Sequence, residues 1–195
     1  LDFATGIAVN STGHCHPKVV AAAVKQAKTL IHACAGIVYY EPNIKLAEIL
    51  QSIAPLDNGL TFFLQSGGEA NEAALKLARY VTKKPGIIAF QGAFHGRTFG
   101  ALSITTSKDK YRQGYEPLLP EIYFAPYPKN ADDDTSTAVE KLISEVGKDK
   151  IAALIIEPVL GEGGYIVPPK KFIQNLRKIC DENGILLIFD EVQTG

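Results

Sequence analysis

The residues of this sequence that can do chemistry follow apolar segments, and the first of them are Ser66, Gly67 and Gly68. They stand between the apolar run at residues 60–65 and the helical pattern EANEAALKLARYV. Backbone N–H groups at the start of a helix, with no side chains in the way, can bind a phosphate group. A tight turn without a ligand explains the same residues equally well. The P-loop pattern GxxxxGK(S/T) and the dinucleotide pattern GxGxxG are both absent from this segment.

Three carboxylates occupy comparable positions further along the chain. Glu157 and Asp190 stand at the ends of the apolar segments IAALIIEP and ILLIFDE, and Glu162 lies in the glycine-rich stretch GEGG between them. A buried carboxylate at a strand end needs a partner, and Asp190 would suit a protonated pyridine nitrogen. Such a pair keeps a pyridine ring cationic, so that the ring can withdraw electrons from a carbanion. The alternatives are that Asp190 caps a following helix and that Glu162 is a solvated loop carboxylate.

The segment FHGR follows another apolar segment, GIIAF, at residues 86–90. Phe94 would stack on a flat heterocycle, and Arg97 would hold a carboxylate in a bidentate hydrogen bond. Each residue taken singly has a plainer explanation: Phe94 fits a core, His95 a structural histidine and Arg97 a surface ion pair. Taken together, the four motifs supply a phosphate turn, an aromatic cover for a ring, an acid for its nitrogen and an arginine for a substrate carboxylate.

Alternating helices and strands must position these motifs. Apolar runs predict strands at residues 60–65, 86–90, 121–125, 151–158 and 185–191, and helical patterns separate most of them. This alternation predicts an α/β fold with a mostly parallel sheet covered by helices on both faces. Ligands bind at the carboxyl ends of the strands in such sheets, which is where the four motifs lie.

The composition is that of an ordinary globular protein, with 46% hydrophobic and 21% charged residues among 195 and a net charge of −1. This balance argues against a nucleic-acid or membrane partner, and no apolar run approaches the ~20 residues of a membrane span. No metal site is predicted. Cys15, Cys34 and Cys180 are few and widely spaced, which predicts a reducing, cytoplasmic location rather than a disulfide framework.

The chain resembles the class III aminotransferases in four segments, which occur in this order: SGGEANEAALKLAR, FHGRT, EPVLGEGG and FDEVQTG. The resemblance extends from DFATGIAVNSTGHCHP to FDEVQTG and thus covers essentially the whole chain. It implies fold type I, the aspartate-aminotransferase-like fold, with pyridoxal 5'-phosphate as the cofactor. It further implies a small-molecule amino donor, a 2-oxo acid and a homodimer or higher homo-oligomer. We expect an N-terminal segment over residues 1–14 and the large cofactor-binding domain over residues 15–195, incomplete and without the small domain.

The resemblance also implies roles for individual residues. Those implied to bind the cofactor are Ser66, Gly67 and Gly68 at the phosphate, Phe94 and Val192 on opposite ring faces, His95 beside Phe94, Glu157 near the ring, Asp190 at the ring nitrogen and Gln193 at the ring hydroxyl. Those implied to bind the substrate are Ile7, Arg97 and Glu162, of which Glu162 would act as a gate that pairs with a later arginine. The family often has Asn where this chain has Gln65, and Ala, Ser or Thr in place of Gly68, so a hydroxyl contact from Gly68 is excluded.

One residue of the family pattern is missing from the sequence. In the family, the lysine that binds the cofactor covalently lies some tens of residues after FDEVQTG, whereas the last lysine here is Lys178. We therefore expect a truncated chain with no catalytic residue of its own, and inactive by itself.

For the full-length enzyme we expect transamination of a 4-aminobutyrate-like ω-amino acid with 2-oxoglutarate. The GIAVNSTGHCHP opening and the APYP segment favour this donor. The alternatives within the family are acetylornithine or ornithine aminotransferase and a class III aminomutase. Outside it, the alternatives are a non-catalytic cofactor-binding fragment and a domain that binds another phosphate ligand.

Overall fold

The computed structural model describes residues 1–195 and divides into two compact units, Leu1–Phe63 and Leu64–Gly195. The first unit contains a four-residue turn, α1 (Thr5–Ala8), and two 13-residue helices, α2 (Pro17–Thr29) and α3 (Glu41–Ile53). Each long helix has a proline in its first turn, where the missing N–H leaves no intrahelical hydrogen bond unmade. None of the side chains of α2 and α3 is buried.

The second unit is built on a four-stranded sheet in which every pair of neighbours is parallel. Its strands are β1 (Gly86–Phe90), β2 (Ile122–Ala125), β3 (Ile151–Ile156) and β4 (Leu186–Phe189), in the spatial order β2-β1-β3-β4. In the register, Ile88 pairs with Tyr123 on one side and with Leu154 on the other. The two central strands are buried along their whole length, which explains their continuous apolar sequences.

Helices cover both faces of this sheet. They are α4 (Gly67–Thr82), α5 (Phe99–Ile104), α6 (Ser136–Val146) and α7 (Lys170–Asn183). Successive residues of a strand point to opposite faces, so Ile87 packs with α4 and α5 while Ile88 packs with α6 and α7. On the second face, the Phe172 ring meets the Phe90 ring edge-on at 5.8 Å.

Four of the five predicted strands are confirmed, as is the parallel sheet with helices on both faces. The strand predicted at residues 60–65 is wrong: Leu60 is 98% exposed and Phe62 77% exposed, and none of these residues is in a strand. An apolar run becomes a strand only where a neighbouring backbone pairs with it, and the run itself does not reveal that neighbour.

The domain boundary predicted after residue 14 stays a prediction; the division between the two compact units lies after Phe63. No helix of the structure combines the length and the apolar character that crossing a membrane requires.

Candidate active site

Two buried carboxylates lie at the carboxyl edge of the sheet. Glu157 directly follows β3 and is 5% exposed, and Asp190 directly follows β4 and is 8% exposed. The N–H of Asp190 continues the ladder by donating to the carbonyl of Ile156 at 2.9 Å. Since parallel strands end at one edge, the residues that follow β1 arrive at the same place. Both acids are therefore close to Phe94 and His95.

Asp190 is held by two buried side chains. Its Oδ2 accepts a hydrogen bond from Nδ2 of Asn71 at 2.8 Å and lies 2.7 Å from Nδ1 of His95. Burial alone would raise the pKa of Asp190, but the hydrogen bonds from His95 and Asn71 outweigh burial and hold that pKa below its usual range. An ionised carboxylate only accepts hydrogen bonds, so Nδ1 of His95 carries the proton between them. The arrangement therefore fixes a negative charge at the end of β4.

Further hydrogen bonds position Asn71 and His95, the two partners of Asp190. Asn71 also donates to the carbonyl of His95 at 2.8 Å, and the Thr105 hydroxyl accepts from the His95 N–H at 2.9 Å. Nε2 of His95 is buried and has no hydrogen-bond partner in the chain. Asn71 and Thr105 are not among the predicted site residues. Asn71 stands one helical turn after Gly67 and therefore on the same face of the helix, so its spacing from the SGG turn could have identified it as a site residue. No comparable spacing marks Thr105.

Glu157 joins two segments through its carboxylate. One oxygen accepts the N–H of Phe94 at 2.9 Å and the other accepts the N–H of Gly161 at 3.1 Å. Burial raises the pKa of Glu157 above its usual range in spite of these two hydrogen bonds, and the charge of Asp190 acts in the same direction. Glu157 therefore fixes the segment after β1 to the glycine-rich loop after β3.

The predicted phosphate turn forms the N-terminus of α4. The Ser66 hydroxyl caps this helix by accepting the N–H of Glu69 at 3.2 Å, and the Glu69 carboxylate accepts the N–H of Gln65 at 2.8 Å. The leading N–H groups of an α-helix have no partner within the helix. With Glu69 satisfied by the cap, the N–H groups of Gly67 and Gly68 are those that can donate to an anion.

Close packing explains why this turn contains glycine. A Cβ atom on Gly67 would lie 2.7 Å from a methyl group of Val192. A Cβ atom on Gly96, whose φ of +119° already favours glycine, would lie 2.8 Å from the Cα of Gly68. The residues that follow β1 and β4 therefore both contact the turn, which completes the predicted grouping around Asp190.

A second group surrounds the ring of Tyr111. The rings of Phe94 and Tyr111 meet edge-on at 5.8 Å, and Cζ of Arg97 lies 6.0 Å from the Tyr111 centroid. Arg97 is exposed and forms no ion pair, so the surface ion pair considered from the sequence is not formed. The Tyr111 hydroxyl donates to Glu162 at 2.6 Å, so Glu162 is not a freely solvated loop carboxylate. Tyr111 is not among the predicted site residues, and no sequence signal marks it.

The remaining predicted residues have different surroundings. Gln193 lies beside the glycine-rich loop, since a Cβ atom on Gly161 would lie 3.5 Å from its Cγ. Val192 is 61% exposed although it packs on Gly67. Ile7 belongs to the first unit and is 76% exposed. The binding roles predicted for these residues and for the others of the site stay predictions.

A parallel α/β sheet with a glycine turn and an ionised aspartate at its carboxyl edge defines a domain suited to a phosphorylated heterocyclic cofactor. All of the residues 1–195 match the family described as aminotransferase class III, and the chain belongs to this family. The resemblance noted in the sequence is thereby confirmed.

Relatives of known function agree with this assignment. The chain is 48% identical to the acetylornithine aminotransferase of Methanopyrus kandleri over 195 residues and 44% identical to the 4-aminobutyrate aminotransferase of Escherichia coli K12 over 201 residues. Both comparisons cover 100% of this chain and 47% of the relative. The chain thus spans about half the length of the curated relatives that it matches.

Solved structures confirm the fold class. An amine transaminase from an uncultivated Pseudomonas species, solved with bound pyridoxal phosphate, superposes with a TM-score of 0.92 at 30% identity. This superposition covers 100% of the present chain and 48% of that one. A transaminase from a marine Virgibacillus gives a TM-score of 0.94 at 30% identity. The fold is that of the pyridoxal-phosphate-dependent transaminases, as the resemblance implied.

Proposed function

We propose that the whole protein transfers an amino group from an ω-amino acid to a 2-oxo acid, with pyridoxal 5'-phosphate as its cofactor. The observation that carries this proposal is the buried, ionised Asp190, held by His95 and Asn71 beside the glycine turn. A negative charge fixed at this edge has a clear use if a protonated ring nitrogen lies against it.

The residues present fit this cofactor. The N–H groups of Gly67 and Gly68 would hold its phosphate, and the close approach of Val192 leaves no space for a Cβ atom on Gly67. Asp190 would bind the ring nitrogen, and Phe94 would cover the ring. When bound, the cofactor supplies an electron-withdrawing ring that stabilises the charge left when a proton leaves the substrate carbon.

The protein side of this chemistry is positioning and electrostatics. Asp190 would favour a positive charge on the ring nitrogen, and the hydrogen bonds from His95 and Asn71 orient the carboxylate and lower its pKa. Glu157 holds the Phe94 segment and the glycine-rich loop together through two backbone N–H groups. Arg97, exposed and without an ion-pair partner, would receive a substrate carboxylate in a bidentate hydrogen bond.

For the amino donor we propose a 4-aminobutyrate-like ω-amino acid, and for the acceptor 2-oxoglutarate. The opening GIAVNSTGHCHP and the APYP segment support this donor, as does 44% identity to the 4-aminobutyrate enzyme of E. coli. The second candidate donor is acetylornithine, which is favoured by 48% identity to the M. kandleri enzyme. The two donors share an amino group at one end of a carbon chain and a carboxylate, which Arg97 would meet, at the other; acetylornithine carries in addition an acetamido group beside its carboxylate.

The test is a donor panel with the whole protein, using 4-aminobutyrate, 5-aminovalerate, acetylornithine and ornithine with 2-oxoglutarate. We expect Asp190→Asn to lower turnover on the order of 100-fold or more, the scale for losing one electrostatic stabiliser. Asp181→Asn is the matched control, because Asp181 forms an exposed ion pair on α7. Equal activity of the Asp190→Asn and wild-type proteins would contradict the proposal. Cofactor binding without turnover of any donor would instead favour a non-catalytic binding protein.

We further propose a homodimer and a cytoplasmic location. The absence of buried side chains in α2 and α3 supports a partner chain, and three free cysteines support a reducing compartment. Light scattering on the whole protein tests the first of these, with a single-chain mass as the contrary outcome.

A further inference from the structure

The N-terminus of α5 is held by a side chain from another helix. The carboxylate of Glu72, on α4, accepts the N–H of Gly100 at 2.7 Å and the N–H of Ala101 at 3.3 Å, both through Oε1. A threonine that precedes a helix ordinarily accepts such an N–H itself. Thr98 stands at that position and makes no capping hydrogen bond, so Glu72 caps α5 in its place.

The glycine at position 100 is required by this contact. Gly100 lies within α5 and its φ is not positive, so its backbone conformation does not call for glycine. A glycine inside a helix lowers stability relative to alanine. A Cβ atom on Gly100, however, would overlap the carboxylate of Glu72. The close approach of Glu72 to the backbone of α5 therefore explains why the less stable residue stands there.

The segment between β1 and α5 carries Arg97 and is tied to α4 on both sides of it. Before Arg97, Asn71 donates to the carbonyl of His95 at 2.8 Å. After Arg97, Glu72 binds the first turn of α5. Asn71 and Glu72 are consecutive residues, so one short stretch of α4 holds both ends of the segment.

Arg97 itself depends on these two anchors. Its side chain is exposed, and its guanidinium lies 6.0 Å from the centroid of the Tyr111 ring. In contrast, α5 is buried from Gly100 to Ile104. The place from which the arginine side chain extends is therefore set by how its backbone joins this buried helix, and Glu72 fixes that junction.

We propose that Glu72 is a positioning residue for Arg97 and thereby sets the affinity of the enzyme for substrates that carry a carboxylate. Without Glu72, the N–H groups of Gly100 and Ala101 lose their acceptor and the first turn of α5 loosens. A ligand must then order the segment around Arg97 when it binds, and affinity falls by that cost. This inference deepens the proposed function and rests on it, since it assumes that Arg97 binds the substrate carboxylate.

The experiment uses the cofactor-loaded whole protein and two unreactive ligands of the same shape, butyrate with a charged carboxylate and butyramide with a neutral amide. We expect Glu72→Ala to raise the Kd of butyrate about 10-fold, the scale for weakening one hydrogen bond between charged groups, and that of butyramide less than about 2-fold. Glu72→Gln keeps an acceptor oxygen and should stay within about 3-fold of the wild type. Glu145→Ala is the matched control, because it removes an exposed carboxylate from α6, on the other face of the sheet, and should change neither constant.

A second variant reaches the same contact from the other side. Gly100→Ala should push the Glu72 carboxylate, the movable end of a flexible side chain, away from α5. We expect it to weaken butyrate binding as Glu72→Ala does, and the double variant to bind butyrate no more weakly than Glu72→Ala alone. A purely structural role would lower stability in these variants without distinguishing butyrate from butyramide.

Arg97→Met in the same titration separates this inference from the proposed function. Weaker butyrate binding in Arg97→Met but not in Glu72→Ala would overturn the role of Glu72 and leave the proposed function intact. Equal effects of Glu72→Ala on butyrate and butyramide would overturn it as well. An unchanged butyrate Kd in Arg97→Met would remove the carboxylate role of Arg97 and this inference with it. If no donor is turned over, the proposed function fails, while the expected pattern of Kd values would still support Glu72 as a positioning residue.

Discussion

Replacing Asn71 with alanine removes one of the two side chains that hold the buried carboxylate of Asp190. The Nδ2 group of Asn71 donates to Asp190 and to the His95 carbonyl, both at 2.8 Å. All three residues are less than 9% exposed, so water cannot readily replace the lost donor. We expect the variant to fold and to be less stable than the wild type.

The magnitude follows from the two hydrogen bonds. A hydrogen bond to a charged group contributes about 1.5–3 kcal/mol and a neutral one about 1 kcal/mol. Since His95 and the N–H of Val192 still hold Asp190, the lower end of that range applies. We therefore expect Asn71→Ala to lower the free energy of unfolding by about 2–3 kcal/mol at pH 7.

The pH dependence has a defined sign. Because the folded-state pKa of Asp190 lies below its ordinary value of 3.8, ionised Asp190 stabilises the fold above that pH. This contribution is lost as the pH falls through the lowered folded-state pKa. Asn71 causes part of the lowering, so the difference in stability between wild type and Asn71→Ala should be largest near neutral pH and should shrink toward pH 3.

The assay is urea unfolding followed by far-ultraviolet circular dichroism between pH 3 and pH 7. Asn175→Ala is the control, because Asn175 also donates to an aspartate, Asp134, at 2.9 Å, but is only half-buried and belongs to α7. We expect the control to lose less stability than Asn71→Ala. Equal losses in the two variants, or a loss in Asn71→Ala that does not vary with pH, would refute the account of Asp190 given above.

Three further predictions concern other parts of the second unit. Since the pKa of Glu157 is raised above 4.5, the contribution of Glu157 to stability should be lost as the pH rises through that raised pKa. Urea midpoints measured from pH 4 to pH 8 should show this loss in the wild type and not in Glu157→Gln. Gly96→Ala should lower the free energy of unfolding by about 1–3 kcal/mol and weaken pyridoxal phosphate binding in a spectroscopic titration, because its Cβ would press on Gly68. Burial raises the pKa of the Cys180 thiol to about 11, so at pH 8 it should react with a thiol reagent only on unfolding, whereas the exposed Cys15 reacts at once.

The sequence predicts well those parts of the structure whose pattern is visible within a single segment of the chain. The strands β1 and β3 are buried on both faces and therefore consist of uninterrupted apolar residues, a pattern that is visible without the fold. Asp190 and Glu157 are predictable for a related reason, since the residue that follows such a strand lies at the edge where ligands bind. The exposed run at residues 60–65 has the same local pattern but forms no strand, and there the prediction is wrong.

The parts that the sequence did not predict depend on contacts between distant segments. Asn71 reaches Asp190 across 119 positions, and Tyr111 reaches Glu162 across 51. An asparagine within a helix and a tyrosine within a loop are each ordinary residues until the sheet brings the second residue of the pair beside them. The signal for such positions therefore lies in the topology, which fixes which strand ends are neighbours.

Asp190 and Glu157 show how one edge of a sheet can hold two acids whose pKa values are shifted in opposite directions. Both are buried to a similar degree, so burial alone does not explain why the pKa of Asp190 is lowered while that of Glu157 is raised. The difference lies in the donors: side chains of His95 and Asn71 hold Asp190, whereas Glu157 receives only two backbone N–H groups. Asp190 in turn opposes a second negative charge nearby, which favours the protonated form of Glu157. The edge therefore carries one fixed negative charge where a cationic ring would lie, and a second buried acid beside it whose pKa is shifted in the opposite direction.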